Sequence, residues 1–209
     1  MVSGSKFKKL ISDKAGVVLV EAMISMPIVI LVLVAMVEFG TAVFQWNQSV
    51  KALQVGARLA AVSSPIVTDA DYLTLESDLA GLLEGDPVPN GVRSVSCGAG
   101  AATCNTANFD RLYFGSDGRC GSPGTSVPGM CDVAPLLSAD VIKVTYRRSG
   151  LGYVGRPFGP VTTITVELHD ASFNFLLFGK LIPGLNSLKI PSNPVSITSE
   201  DVSTCGSGC

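Results

Sequence analysis

The sequence has one histidine, no C-x-x-C pair, no cysteine before residue 97 and no basic run after residue 16. Each absence removes a class of function. His169 lies on the polar side of an alternating segment with no nucleophile pattern near it, so a catalytic triad is not expected. One histidine and no C-x-x-C leave too few ligands for a zinc site. A net charge of −2 without a basic patch excludes a nucleic-acid surface. Residues 150–155, GLGYVG, fit G-x-G-x-x-G, but a dinucleotide site needs a helix directly after it. Arg156-Pro157-Phe158-Gly159-Pro160 forbids that helix, and the stretch reads as a hairpin loop. No enzymatic activity, cofactor or metal is expected.

What the chain has instead is an apolar block near its start. Residues 17–44 contain only two charged side chains, Glu21 and Glu38, in 28 residues. About 20 apolar residues span a bilayer, whereas the apolar part of a secretory signal covers roughly 7–15. No small-x-small cleavage site follows, so the block reads as a retained transmembrane helix. Lys6, Lys8, Lys9 and Lys14 against Asp13 give residues 1–16 a net charge of +3. The whole chain carries −2, so residues 17–209 carry −5. A basic segment before an apolar span stays in the cytoplasm, and the remainder faces the other side. In a bacterium this predicts a single-pass inner-membrane protein with its C-terminal domain in the periplasm.

Cysteine placement agrees with that topology. Cys97, Cys104, Cys120, Cys131, Cys205 and Cys209 all follow the apolar block, an even number on the exported side. Six cysteines allow 15 pairings. Short loops favour Cys97–Cys104, Cys120–Cys131 and Cys205–Cys209, and the sequence leaves the other pairings open.

The two glutamates differ in depth. At 1.5 Å per residue Glu38 stands about 31 Å along the helix from Val17, near the far interface, where a carboxylate is tolerated. Glu21 stands only about 6 Å in, on the lipid side of the basic segment. A carboxylate there needs a partner and is a functional candidate. A cut after Gly16 would create an amine at Val17 at nearly the same depth. The two groups would then pair between neighbouring, staggered helices.

Gly16, four apolar residues and Glu21 resemble the prepilin-peptidase motif of type IV pilins. Pro27 follows, then Val37-Glu38-Phe39-Gly40, then Val55-Gly56-Ala57-Arg58-Leu59-Ala60-Ala61. Together these resemble the TadE-like pseudopilins of tight-adherence (Tad/Flp) pilus systems over residues 14–62. Ala22 and Val17 stand where aromatic residues are common in such proteins. The resemblance implies a minor pilin cut between Gly16 and Val17, assembled through Glu21, with a helix kink at Pro27 and family positions at Glu38, Gly56 and Arg58. It further implies prepilin peptidase, other Tad minor pilins, the major Flp-type pilin and an inner-membrane assembly platform as partners. Display at the cell surface would come with incorporation into a pilus. The competing expectation is a membrane-anchored periplasmic binding or adhesion domain that never enters a filament.

Beyond the membrane, Phe39, Val43, Trp46, Val50, Leu53, Ala57 and Ala60 are spaced alternately by four and three residues, an apolar heptad seam. It docks the helix on its own domain or on a partner; both stay open. The expected organisation is a basic leader over 1–16, one transmembrane and amphipathic helix over 17–62, and an α+β domain over 63–209. In that domain Thr68–Asp71 resembles a capping box opening a helix that Gly85 ends. Strands are expected over 92–96, 111–114, 141–148 and 161–169. Residues 173–182 read as a short amphipathic helix. Residues 187–199, with Pro191 and Pro194, read at best as an edge strand. The fold class is a type IV pilin-like one, a long helix packed on a small antiparallel sheet with disulfides.

Overall fold

Helix α1, Lys14–Ala61, runs for 48 residues without a break, Pro27 included. The computed structural model describes residues 14–121, 124, 126–156, 159–175, 177–182, 184 and 188–199. Among these, α1 is the one helix long and apolar enough to cross a membrane; its most apolar 18-residue window has a mean hydropathy of 2.8 and none of it is buried. Side chains that would be costly in water, such as Val17, Met23, Ile28 and Leu33, point outward along it. That is the pattern of a helix solvated by lipid rather than by its own domain.

The described residues form two compact units. The first holds residues 14–43 and the described part of Asn174–Asn186; the second holds residues 44–173 and 188–199. In the second unit, four strands form an antiparallel meander in chain order: β1 Arg93–Gly98, β2 Ile142–Arg148, β3 Thr162–Leu168 and β4 Val195–Thr198. Period-two alternation sets the register. Ile142, Val144, Tyr146 and Arg148 of β2 are buried, and Thr162, Ile164, Val166 and Leu168 of β3 lie opposite them on the same face. That face shares one core with Ala52, Leu53, Ala57, Ala60 and Ala61 of α1. Alanines there let helix and sheet approach closely. Each fully buried aliphatic chain such as Leu53 or Ile164 stabilises the domain by roughly 1.5–3 kcal/mol.

Tyr146 ties the core to the end of α1. Its phenol accepts the Ile66 N–H at 3.0 Å, its ring meets Tyr72 edge-on, and burial raises its pKa well beyond the ordinary phenol range. The residues after α1 therefore need no further secondary structure to be fixed.

The α+β reading stands, with local differences. The helix expected from Thr68 to Gly85 is only α2, Asp69–Thr74. Thr68 caps it by accepting the Asp71 N–H, but the Thr74 and Ser77 hydroxyls then bond to backbone carbonyls and the chain goes on in turns. Residues 111–114 are not a strand. They end helix α3, Thr106–Phe114, which Asn105 caps and Gly115 terminates at φ +81°. A further short helix, α4, spans Met130–Val133. The segment expected as a helix over 173–182 is helical only in α5, Phe178–Leu181. The G-x-G-x-x-G stretch lies between antiparallel β2 and β3, as a loop. β4 is an edge strand, paired on one side to β3 just after Pro194.

Candidate functional site: the apolar helix and its two carboxylates

In the first unit, Gly16, Val17 and Glu21 are all exposed, and among the described residues no atom beyond its chain neighbours and the helix's own backbone lies within 4 Å of where a Gly16 side chain would begin. The glycine is thus sterically open. Glu21 has no hydrogen bond or ion pair among the described residues. It is an ionisable group on an otherwise apolar, outward-facing stretch, and nothing among the described residues satisfies it.

Glu38 is the opposite case. It is only 3% exposed, and its Oε1 accepts the backbone N–H groups of Leu177 and, at 3.2 Å, Phe178. These are among the otherwise unbonded donors at the start of α5. The sequence reads Glu38 as an interfacial polar residue and gives no partner for it; the carboxylate holds a segment 139 residues away in sequence. Beside it, one stripe of α1 (Met23, Met26, Pro27, Ile30, Leu31 and Val34) and α5 enclose an apolar groove of about 680 Å³. Pro27 stands in the wall of this groove.

In the second unit, Gly56 is buried and Arg58 exposed. A Cβ on Gly56 would stand 2.5 Å from the Met130 sulfur, and Met130 is itself fully buried. Helix interiors prefer alanine to glycine by about 1 kcal/mol, but overpacking a filled core costs about 1–3 kcal/mol. Gly56→Ala should therefore destabilise the full chain by about 1 kcal/mol. A lowered urea midpoint at an unchanged slope in detergent solution is the expected reading, and an unchanged midpoint would contradict it.

Along the heptad seam, Leu53, Ala57 and Ala60 are buried in the core and Val50 is half-buried, whereas Phe39, Val43 and Trp46 are exposed. Cys97–Cys104 and Cys120–Cys131 are disulfide-bonded. Cys205 and Cys209 lie outside the described residues.

Sequence reasoning missed one charged cluster. Arg148 is fully buried on the sheet's inner face and donates through Nη2 to both Asp78 oxygens at 2.5 and 2.6 Å. Arg93 Nε adds a contact to Asp78 at 3.3 Å. These hydrogen bonds, Arg148 first, hold the Asp78 carboxyl below the usual carboxylate range. The only available signal was an arginine where β2's alternation calls for an apolar residue. Among the described residues no three His, Cys, Asp or Glu side chains are grouped to hold a metal. His169 contacts Asp170 at 3.5 Å, and no hydroxyl among the described residues is bonded to it.

Residues 16–58 match the family model described as TadE-like protein. The matched span contains Gly16, Glu21, Pro27, Glu38, Gly56 and Arg58, the positions that carry the resemblance, and it ends before the sheet begins. Comparison with curated proteins and with solved structures gave no match. Over that span the chain is similar to TadE-like proteins, and α1 fits a single-pass membrane anchor.

Proposed function

We propose that the chain is a TadE-like minor pilin that is cut after Gly16 and takes part in assembling or initiating a Tad/Flp pilus. The observation that carries this reading is Glu21: exposed, without a partner among the described residues, and five residues beyond an open glycine in a family-matched helix. A carboxylate near the lipid is unfavourable alone and favourable beside an opposite charge. Cleavage supplies that charge, because it leaves a free amine on Val17. Within one helix the amine and Glu21 both face outward and separate by about 6 Å of rise. Between staggered neighbours they meet. Glu21 then sets the register of one pilin helix on the next.

On this reading residues 1–16 are the leader, 17–62 the membrane and stalk helix, and 63–209 the periplasmic domain. Prepilin peptidase, other Tad minor pilins, the Flp-type pilin and the inner-membrane platform are its partners. The chemistry is structural, not enzymatic.

The test is the N-terminal mass of the protein taken from its native membrane. A chain beginning at Val17 is expected, and Gly16→Val should abolish that product. A chain that keeps its first residues while the peptidase is active would refute the minor-pilin reading and leave an anchored domain.

A further inference from the structure

The geometry points to a second membrane-embedded element: we infer that residues 177–182, which hold α5, lie in the bilayer beside α1, clasped there by Glu38, with lipid acyl chains filling the groove between them. The inference rests on reading α1 as a membrane span, not on the pilus role.

Depth is the first support. Counted from Val17, Met23 to Val34 stand about 9 to 26 Å along the helix, inside a hydrocarbon layer about 30 Å thick. Leu177, Phe178 and Leu181 line the same groove as that stretch of α1. What packs against this wall shares its depth. The groove is continuous with the lipid-facing surface of the span, so acyl chains are the occupant already present there.

Exposure agrees. Leu177, Leu181 and Ile182 keep 57%, 68% and 47% of their surface uncovered. Three adjacent large apolar side chains facing water would be an association hazard; facing lipid they are stabilised. Between residues 171 and 188 the only charged side chain is Lys180. Lys180 also lines the groove, and its long stem can carry the ammonium toward the headgroups while the backbone lies deeper.

Backbone satisfaction is the third support, and the most demanding. Chain that is not part of a long helix is tolerated at membrane depth only if its polar groups are bonded within the protein. The N–H groups of Lys180 and Leu181 reach the Leu177 carbonyl, and that of Ile182 reaches the Phe178 carbonyl. Leu177 and Phe178, which start the turn and have no helical acceptor, are satisfied by Glu38. The carboxylate is thereby also sheltered, which explains how an acidic side chain is held on this face of the span with almost no exposure.

The full chain, with its one tryptophan removed as Trp46→Phe, is reconstituted into liposomes carrying acyl-brominated phosphatidylcholine. Single tryptophans are then introduced as Leu181→Trp, Ile182→Trp, Leu33→Trp and, in the sheet unit, Tyr153→Trp. Leu181→Trp and Ile182→Trp should lose most of their emission to the brominated lipid, as Leu33→Trp does, and resist aqueous iodide. Tyr153→Trp should show the reverse. Adding Glu38→Ala should restore emission at 181 and leave the Leu33→Trp signal quenched. Iodide quenching at 181 and 182 with lipid quenching at Leu33→Trp would place the segment in water and overturn the proposal alone. Shielding from both quenchers would mean cover by protein, a second copy included, and overturn it too. Loss of lipid quenching at Leu33→Trp would bring down the membrane reading of α1 and the proposal with it.

Discussion

Glu21→Ala should leave the protein in the membrane and, on the proposed role, remove it from the filament. Insertion should be unchanged or slightly better, because the substitution deletes a charge from the lipid side of the helix and creates none. Assembly should fall to background. The carboxylate has no partner among the described residues, so no contact among them is lost and their fold has no reason to change. On the proposed role the loss falls on the contact with a neighbouring N-terminus, where two opposite charges would lie in a poorly screened setting. Glu21→Gln keeps the shape and a hydrogen-bond acceptor but not the charge. It should assemble far less than the parent, which separates an electrostatic requirement from a steric one. Membrane and sheared-filament fractions, compared by immunoblot, read both quantities in one experiment. Wild-type levels of filament from Glu21→Ala cells would end the pairing hypothesis.

The second large effect is an asymmetry within one ion pair. Asp78→Ala strands the fully buried Arg148, whose Nε and Nη1 already lack partners among the described residues. An uncompensated buried charge is among the costliest single defects, and a fall of roughly 10 °C in melting temperature is expected. Arg148→Met removes the buried charge and keeps the volume. Asp78, about a quarter exposed, then retains water and Arg93. Met should therefore cost little or stabilise. The pH dependence follows from the lowered Asp78 pKa. A depressed folded-state value means stability present above the unfolded value, about 3.9, and lost as pH falls through the folded one. Acid unfolding of Arg148→Met should lose part of this dependence below about pH 4. Thermal melts across that range decide the matter; equal losses in the two variants would contradict the asymmetry.

Much of this could be read from residue order alone because the signals are local. The apolar length of α1, the alternation of Ile142-Lys143-Val144-Thr145-Tyr146 and that of Thr163-Ile164-Thr165-Val166 each specify an element without knowledge of its neighbours. The short cysteine loops at 97–104 and 120–131 close on themselves for the same reason. The misreadings lie where a distant or competing bond decides. Residues 111–114 carry strand-prone aromatics, but the Asn105 cap starts a helix that runs through them. The run from Tyr72 to Leu83 has helical spacing, yet its hydroxyls divert the backbone after Thr74. The grip of Glu38 on Leu177 and of Arg148 on Asp78 joins residues 139 and 70 apart. No periodicity announces such pairs.

The cysteines set an order in which the domain can be taken apart. Cys97 and Cys131 have no exposed surface, Cys104 is half-buried, and of the four bonded sulfurs only that of Cys120 belongs to an exposed residue. Between these two bonds a reductant thus has one open door. Thiol exchange begins at Cys120, and the 97–104 bond waits for the domain to loosen. The half-reduced protein should be isolable under mild dithiol, with its sheet intact and the 120–131 loop unlatched. In that sense the second bond acts as a tamper seal on the core.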